Sequence, residues 1–136
     1  MSNIKKILDL GFEYAGFFKK TSDNIACHWS NENCKKYTEV LYAFVYEKKV
    51  HYIGKTTQEF KKRIYGYLKP NTSQATNFRL NENIRKTLKL DEAIEIYIFK
   101  PDKIEFKGYA INVAAGLEDS IIRAIQPPWN QMGLGK

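Results

Sequence analysis

The chain has 136 residues, of which 43% are hydrophobic and 27% charged, and this composition excludes a disordered polypeptide. Its 22 lysines and arginines against 15 aspartates and glutamates give a net charge of +7, which favours a polyanionic partner, most commonly nucleic acid. No apolar run approaches the roughly 20 residues of a membrane helix, and the N-terminal residues lack a signal-peptide cleavage site. We therefore predict a single domain, residues 1–136, in the cytoplasm and without a membrane partner.

Residues 1–38 carry the weakest patterns in the chain. Apolar residues near the N-terminus indicate a short amphipathic helix, aromatic residues follow it, and the polar composition of residues 21–38 predicts a loop. We expect residues 1–38 to form an N-terminal extension that packs on the core and offers a contact surface for DNA or a second subunit. Cys27 and Cys34, with His28, give three ligands at the wrong spacing for zinc, so we expect two reduced thiols.

Two strands and a turn are predicted next. Residues 39–46 are apolar except Glu39, which predicts a strand covered on both faces. Residues 47–49 form a turn, and residues 50–53 return as a second strand. Gly54 ends this strand, because the backbone there either passes close to another group or adopts a positive φ.

A helix is predicted to begin at Thr56, since Thr56 and Glu59 have the spacing of a capping box. Its buried stripe consists of apolar residues four apart: Phe60, Ile64 and Leu68. Arg63 and Tyr67 are also four apart, so we expect them to stack beside the stripe, one turn from each other.

The remaining elements are a second helix, a third strand and a last helix. The second helix, over residues 78–90, presents four basic residues outward as candidates for substrate binding: Arg79, Arg85, Lys86 and Lys89. Residues 93–99 alternate cleanly between two faces and predict a strand. After a connection over residues 101–108, the last helix extends from residue 113 or 114 to about residue 125, before two prolines.

Glu118 lies within the apolar stripe of the last helix, because its helical neighbours are alanines and isoleucines. A carboxylate there needs a cationic partner or a metal ion to compensate its desolvation, unless it lies at the edge of the stripe and reaches solvent. The two prolines and Trp129 stiffen the segment after this helix. That stiffness is typical of a plain helix stop and equally of a support that holds Asn130 next to Glu118.

The polar residues of the first hairpin and helix are unusual for a packing unit. Two phenols, an amine and a guanidinium, with a further phenol beside them, are suited to binding phosphate: Tyr42, Tyr52, Lys55, Arg63 and Tyr67. Taken singly, the tyrosines are equally compatible with core packing, and the two cations with solvated surface charges.

These residues carry a resemblance to the GIY-YIG nuclease family. Tyr-Ile-Gly at 52–54, preceded by Val-Leu-Tyr at 40–42, resembles the family signature, although the first triplet keeps only its tyrosine. The family's arginine, helix carboxylate and late asparagine fall on Arg63, Glu118 and Asn130, in the right order and on the predicted elements. The position four after the arginine, often histidine in the family, is a tyrosine here.

The lysine after Tyr-Ile-Gly and the Pro-Pro-Trp-Asn ending resemble a branch of small stand-alone enzymes, among them type II restriction endonucleases and phage endonucleases that degrade host DNA. The resemblance implies an α/β (α+β) fold with a small three-stranded antiparallel sheet flanked by helices, a nuclease core at 39–130 and a tail at 131–136. It implies a metal-dependent endonuclease on double-stranded DNA, in the first place a type II restriction enzyme. The alternatives are a phage-type degradative enzyme of loose specificity and a non-catalytic nucleic-acid-binding module.

The resemblance also implies a role for each site residue. Tyr42 is expected to be the general base, with Lys55 as the cation that favours its phenolate, and Tyr52 to orient the water or a phosphate oxygen. Arg63 is expected to hold the scissile phosphate, and Glu118 to bind one Mg²⁺ per active site, for which Mn²⁺ substitutes. Two residues support the phosphate side and the metal side respectively: Tyr67 and Asn130. Double-strand cleavage by an enzyme with one site favours a homodimer or higher oligomer.

Overall fold

The computed structural model describes residues 3–71 and 73–130, so the tail expected at 131–136 lies outside the described residues. Its helices are α1 (Ile4–Leu10), α2 (Phe60–Leu68), α3 (Ala75–Thr87) and α4 (Val113–Ile125). Its strands are β1 (Glu13–Lys20), β2 (Ile25–Trp29), β3 (Val40–Tyr46), β4 (Lys49–Thr56), β5 (Ala93–Phe99), β6 (Ile104–Phe106) and β7 (Tyr109–Ile111). Within the described ranges, every helix is too short or too polar to cross a membrane.

Five antiparallel strands form the main sheet in the order β2–β1–β5–β3–β4. The mixed α/β class is confirmed, but the expected sheet of three strands is wrong, because the segment before residue 38 supplies β1 and β2. A bulge between Tyr14 and Gly16 interrupts the alternation of β1, so its sequence lacks the period of two that identifies a strand. A Cβ at Gly16 would lie 2.2 Å from the His28 carbonyl oxygen, so the close pairing of β1 with β2 requires glycine there.

The first hairpin lies between two layers of helices. β3 is buried along nearly its whole length, as its sequence predicts. Tyr42 and Phe44 face the apolar cluster that includes α2 and α3, whereas Leu41 and Ala43 face the cluster that includes α1 and α4. Side chains alternate along β4, the edge strand beside β3, so Tyr52 faces the first of these clusters and Ile53 the second.

Two helices and one connection differ from the predicted ones. α2 begins at Phe60 instead of Thr56, because the Thr56 hydroxyl accepts the Gln58 backbone N–H at 3.1 Å and forms a turn after β4. α3 covers Ala75–Thr87, so it begins and ends three residues before the helix predicted over 78–90. The connection predicted over 101–108 contains β6, which pairs with β7 in a hairpin whose residues are all exposed.

Candidate active site

Four of the predicted site residues meet on the face of the sheet that packs against α2 and form what we name the tyrosine–arginine cluster: Tyr42, Tyr52, Arg63 and Tyr67. The Tyr42 and Tyr67 hydroxyl oxygens are 2.5 Å apart, and Arg63 Nε donates to the Tyr42 hydroxyl at 3.0 Å. The Arg63 guanidinium lies over the Tyr67 ring, 4.7 Å from its centre, which confirms the predicted stacking. The ring centres of Tyr52 and Tyr67 are 6.3 Å apart.

The register of β3 against β4 brings the two strand tyrosines together. Tyr42 pairs with Gly54 and Phe44 with Tyr52, so both tyrosines point to the same face of the sheet. Gly54 leaves room for the Tyr42 ring, since a Cβ at Gly54 would lie 2.6 Å from the Tyr42 hydroxyl oxygen. A close backbone approach is therefore the reason for this glycine, although β4 continues past it to Thr56.

We expect Gly54→Ala to destabilise the fold by about 1–3 kcal/mol, because the Tyr42 ring is fully enclosed and cannot move away from an added methyl group. The matched control is Gly116→Ala on α4, where an added Cβ meets no atom within 4 Å and should stabilise the helix by up to about 1 kcal/mol. Urea unfolding measures both changes. Equal stabilities of the two variants would contradict the packing of Tyr42 on Gly54.

The phenols of the cluster are neutral, and the cation that contacts Tyr42 is not the expected one. Burial raises the pKa of the Tyr42 phenol above its ordinary value, and the Arg63 guanidinium opposes this in part. Burial likewise raises the pKa of Tyr67 well above the ordinary value. The phenols are therefore neutral near pH 7. The cation in contact with Tyr42 is Arg63 rather than Lys55, for which we expected this contact.

Lys55 instead pairs with the carboxylate of the last helix. Lys55 Nζ lies 3.6 Å from Glu118 Oε1, and this ion pair joins β4 to α4. The Glu118 side chain is 21% exposed, so it combines partial burial with a cationic partner. Burial raises the pKa of the Glu118 carboxyl above its ordinary value, and the Lys55 ammonium lowers it in part. The next residue, Asp119, pairs with Arg123 on the exposed side of α4.

The cations of the site share one opening. A depression of about 300 Å³ is lined by the end of β4, the turn that follows it and the arginine of α2: Lys55, Thr56, Thr57, Gln58 and Arg63. A second depression, of about 140 Å³, shares Lys55 and reaches Asn112 and Ala115 at the start of α4. Arg63 and Lys55 therefore face the same opening, and Glu118 contacts the second of these cations.

The Asn130 side chain binds the backbone of β4, the edge strand of the sheet. Its Oδ1 accepts the Ile53 N–H and its Nδ2 donates to the Ile53 carbonyl oxygen, both at 2.8 Å. The Trp129 N–H donates to the His51 carbonyl oxygen at 2.8 Å, so the segment after α4 covers the open edge of β4. The stiff segment thus holds Asn130 in a defined place, with both ends of its carboxamide bound to the strand backbone beside Gly54.

Arg79, Arg85 and Lys86 lie on α3, whereas Lys89 follows its end. Burial raises the pKa of Tyr52, and the Arg79 guanidinium opposes this in part, so Arg79 acts on the tyrosine–arginine cluster. Arg79 donates to a backbone carbonyl of the segment after α4 at 2.7 Å, and Arg85 donates to the Asp23 carbonyl oxygen before β2 at 3.2 Å. These arginines join α3 to neighbouring parts of the fold. Lys86 and Lys89 are exposed.

Sequence reasoning missed the polar residue whose side chain bonds to the arginine of the cluster. Asn77 on α3 is buried, and its Oδ1 accepts from Arg63 Nη1 at 2.9 Å. The predicted helix began one residue after Asn77, which left it in a loop. The available signal was the spacing of Asn77 and Asn81, which are four apart and share the apolar face of α3 with Leu80 and Ile84.

The residues fit a divalent ion of the magnesium type better than zinc. Within 3–71 and 73–130, no group of three or more His, Cys, Asp or Glu side chains is placed to hold a metal, so Glu118 does not belong to a zinc-type ligand set. Mg²⁺ is held in proteins by one or two carboxylates together with waters and substrate phosphates, whereas zinc requires three or four protein ligands. A half-buried Glu118 beside an opening lined by cations suits the first arrangement.

Two solved structures are similar to this fold. A mutant of bacteriophage T4 EndoII is 21% identical, with a TM-score of 0.73 over 96% of this chain and 99% of that one. The restriction endonuclease HPY188I in complex with product DNA is 15% identical, with a TM-score of 0.59 over 100% of this chain and 87% of that one. No protein-family model matches the chain, and no curated protein matches it. At these identities the similarity shows a shared fold.

Proposed function

We propose that the chain is a metal-dependent endonuclease of the GIY-YIG type that hydrolyses phosphodiester bonds in double-stranded DNA. The observation that carries the proposal is the opening shared by Arg63 and Lys55, with Glu118 3.6 Å from the lysine. Its fold, shared with a phage endonuclease and a restriction endonuclease, supports the same class of reaction. The net charge of +7 suits a DNA substrate.

Arg63 is the residue that would bind the scissile phosphate. Tyr42 and Asn77 occupy two of its five N–H groups, and two more are enough for a bidentate bond to phosphate. The ammonium of Lys55, about half exposed, adds positive charge at the same opening. Tyr67 supports the phosphate side by stacking under the guanidinium.

Tyr42 is our candidate for the base that takes a proton from the attacking water, which Tyr52 orients. As that proton passes to the phenolate oxygen, the water oxygen bonds to phosphorus and the bond from phosphorus to the 3′-oxygen breaks. Arg63, whose Nε donates to the Tyr42 hydroxyl, is the cation that favours the phenolate.

The rate of cleavage should rise with pH between about pH 7 and pH 9. Burial raises the pKa of Tyr42, so the phenolate is a minor form over this range and its fraction grows about tenfold per pH unit. Single-turnover cleavage of a short duplex measures the profile, with Tyr42→Phe as the variant in which the slope disappears. A flat wild-type profile would contradict the role of Tyr42 as the base.

Glu118 is the residue that would hold the metal ion, Mg²⁺ with Mn²⁺ as a substitute. When bound, the ion supplies positive charge for the phosphate and the leaving 3′-oxygen. The ionised carboxylate is the form that binds, so protonation of Glu118 at acid pH should weaken metal affinity. Asn130 supports this side of the site through the backbone of Ile53, next to Gly54 on β4.

Two biological roles fit this chemistry. A type II restriction enzyme is our first proposal, and the similarity to HPY188I, which is bound to product DNA, favours it. The higher TM-score of 0.73 with bacteriophage T4 EndoII favours a phage-type enzyme of loose specificity. Digestion of several unrelated plasmids with Mg²⁺ separates these roles: discrete bands indicate restriction, and a smear indicates loose specificity. Bound but uncut plasmid would indicate a non-catalytic binding module.

We also propose a homodimer or higher oligomer formed through the β6–β7 hairpin. Phe106 pairs with Tyr109 across the hairpin, and the two side chains are 63% and 76% exposed on one face. An isolated two-stranded hairpin is marginal in water, so a second copy that covers this face would stabilise it.

The free thiols Cys27 and Cys34 support the cytoplasm as the compartment.

Phe106→Glu combined with Tyr109→Glu should convert the oligomer to a monomer and shift the products from double-strand breaks to nicks. Two charges on the apolar face prevent its burial against a second copy. Sedimentation equilibrium measures the mass, and agarose gels resolve nicked from linear plasmid. The control is Ala110→Glu, on the opposite face of the same hairpin. An unchanged mass in the double variant would contradict this interface.

A further inference from the structure

Asn77 is a buried side chain that reaches from α3 to the arginine of α2. It is 5% exposed, its Oδ1 accepts from Arg63 Nη1 at 2.9 Å, and its Nδ2 donates to Gln74 Oε1 at 3.2 Å. Both ends of the carboxamide are therefore bound, and the oxygen end is the one that faces Arg63. A buried amide with both ends satisfied has a fixed orientation.

Gly66 makes the room that Asn77 occupies. A Cβ at Gly66 would lie 3.0 Å from Asn77 Nδ2, closer than such contacts normally are. Glycine within a helix is unfavourable relative to alanine, so a packing reason is expected for Gly66 in the middle of α2. The contact with Asn77 supplies that reason.

The guanidinium of Arg63 has two fixed points. Its Nε donates to the Tyr42 hydroxyl, and its Nη1 donates to Asn77. One hydrogen bond alone leaves the group free to pivot about that N–H···O direction, whereas a second bond at another nitrogen fixes its plane. Among residues 3–71 and 73–130, no acceptor is bonded to the other three N–H groups of Arg63, and the side chain lines the 300 Å³ opening.

We propose that Asn77 is a positioning residue for phosphodiester cleavage, acting through Arg63. It fixes the plane of the guanidinium so that free N–H groups face the scissile phosphate, and Gly66 gives it the space to do so. This inference rests on the proposed nuclease function for its kinetic consequence, but the restraint on Arg63 exists in the free protein and is measurable without DNA.

Asn77→Ala should lower kcat by about 10- to 100-fold with KM changed less than about threefold, because a displaced guanidinium stabilises the transition state less. The matched control is Asn81→Ala, one turn along α3 and equally buried, whose side chain binds the Tyr67 carbonyl oxygen and not Arg63. It should lower the Tm comparably and leave kcat within about threefold. Equal losses of kcat in the two variants would overturn the proposal.

Gly66→Ala tests the same contact from α2. The helix preference of alanine offsets in part the cost of crowding Asn77, so the Tm should fall less than in Asn77→Ala, while the displaced Asn77 carboxamide lowers kcat by about tenfold. A purely structural role for Asn77 predicts that activity follows stability. Wild-type kcat in Gly66→Ala would therefore overturn the proposal.

Two further measurements show whether Asn77 acts through Arg63. In an Arg63→Lys background, Asn77→Ala should have no further effect on kcat; a loss as large as in the wild-type background would overturn the proposal.

In free protein, nuclear magnetic resonance should resolve the signals of the Arg63 Nη protons. Asn77→Ala should merge these signals, because the guanidinium then rotates faster. If wild type cuts DNA and these signals are unchanged in Asn77→Ala, the positioning role fails. If the signals merge but wild type never cuts DNA, the nuclease proposal fails and the restraint on Arg63 stands.

Discussion

Glu118→Gln should lower the rate of DNA cleavage by about 1,000-fold or more while leaving DNA binding close to that of the wild type. The amide has nearly the same shape as the carboxylate but lacks the charge that a divalent ion requires. Arg63 and Lys55, which would bind the phosphate, keep their positions on α2 and β4. Plasmid nicking in Mg²⁺ measures the rate, and fluorescence anisotropy with a labelled duplex in metal-free buffer measures binding.

The same substitution should not destabilise the protein at neutral pH. Burial raises the pKa of Glu118 above its value in the unfolded chain, so the folded state disfavours the ionised form. The free-energy cost of folding with an ionised Glu118 is absent below the pKa that Glu118 has in the unfolded chain, and it is fully present above its pKa in the folded protein. The free energy of unfolding of wild type should therefore fall as pH rises through this interval, and Glu118→Gln should remove this part of the pH dependence.

Asp119→Asn is the matched control for Glu118→Gln. Asp119 is the next residue on α4, it is exposed, and it pairs with Arg123 at 3.1 Å instead of with a cation of the site. We expect this variant to cut DNA at the wild-type rate. Full activity in Glu118→Gln, or an equal loss in both variants, would contradict the assignment of Glu118 as the metal ligand.

Arg63→Lys should lower the cleavage rate by about 100- to 1,000-fold and weaken DNA binding modestly. Lysine keeps the charge but loses the planar fork that binds two phosphate oxygens. It also leaves the Tyr42 hydroxyl and Asn77 Oδ1 without the donors that they have in the wild type, which should cost about 1–3 kcal/mol of stability. Single-turnover kinetics at a temperature where both proteins are folded separates the two effects.

The matched control for this variant is Arg123→Lys, which changes an exposed arginine on α4. Exposed ion pairs contribute little to stability, so we expect no measurable change in cutting or unfolding. Wild-type cutting rates in Arg63→Lys would remove this arginine from the site.

The sequence predicted the elements that carry the site because their patterns are local. The all-apolar run of β3, the clean alternation of β5 and the helical period of α4 each identify one element without reference to the others. The stacking of Arg63 on Tyr67 followed from their spacing of four residues on a helix.

The features that the sequence did not predict depend on packing between distant segments. The strand pairing of β1 tolerates a bulge between Tyr14 and Gly16, which erases the alternation that would have identified the strand. The contact between Lys55 and Glu118 joins residues that are far apart in the chain, and no local pattern indicates it. Asn77 was missed because the helix start was placed too late, so that a buried amide looked like a loop residue.

We propose that Arg63, Lys55 and Glu118 form one metal-dependent phosphodiesterase site, and this is the proposal on which the others depend. Its most direct test is the incubation of supercoiled plasmid with purified wild type, Glu118→Gln and Asp119→Asn, each with and without Mg²⁺. We expect nicked or linear plasmid for wild type and Asp119→Asn with Mg²⁺ only, and uncut plasmid for Glu118→Gln throughout. Cleavage by Glu118→Gln at the wild-type rate, or uncut plasmid for wild type across varied DNA, would contradict it.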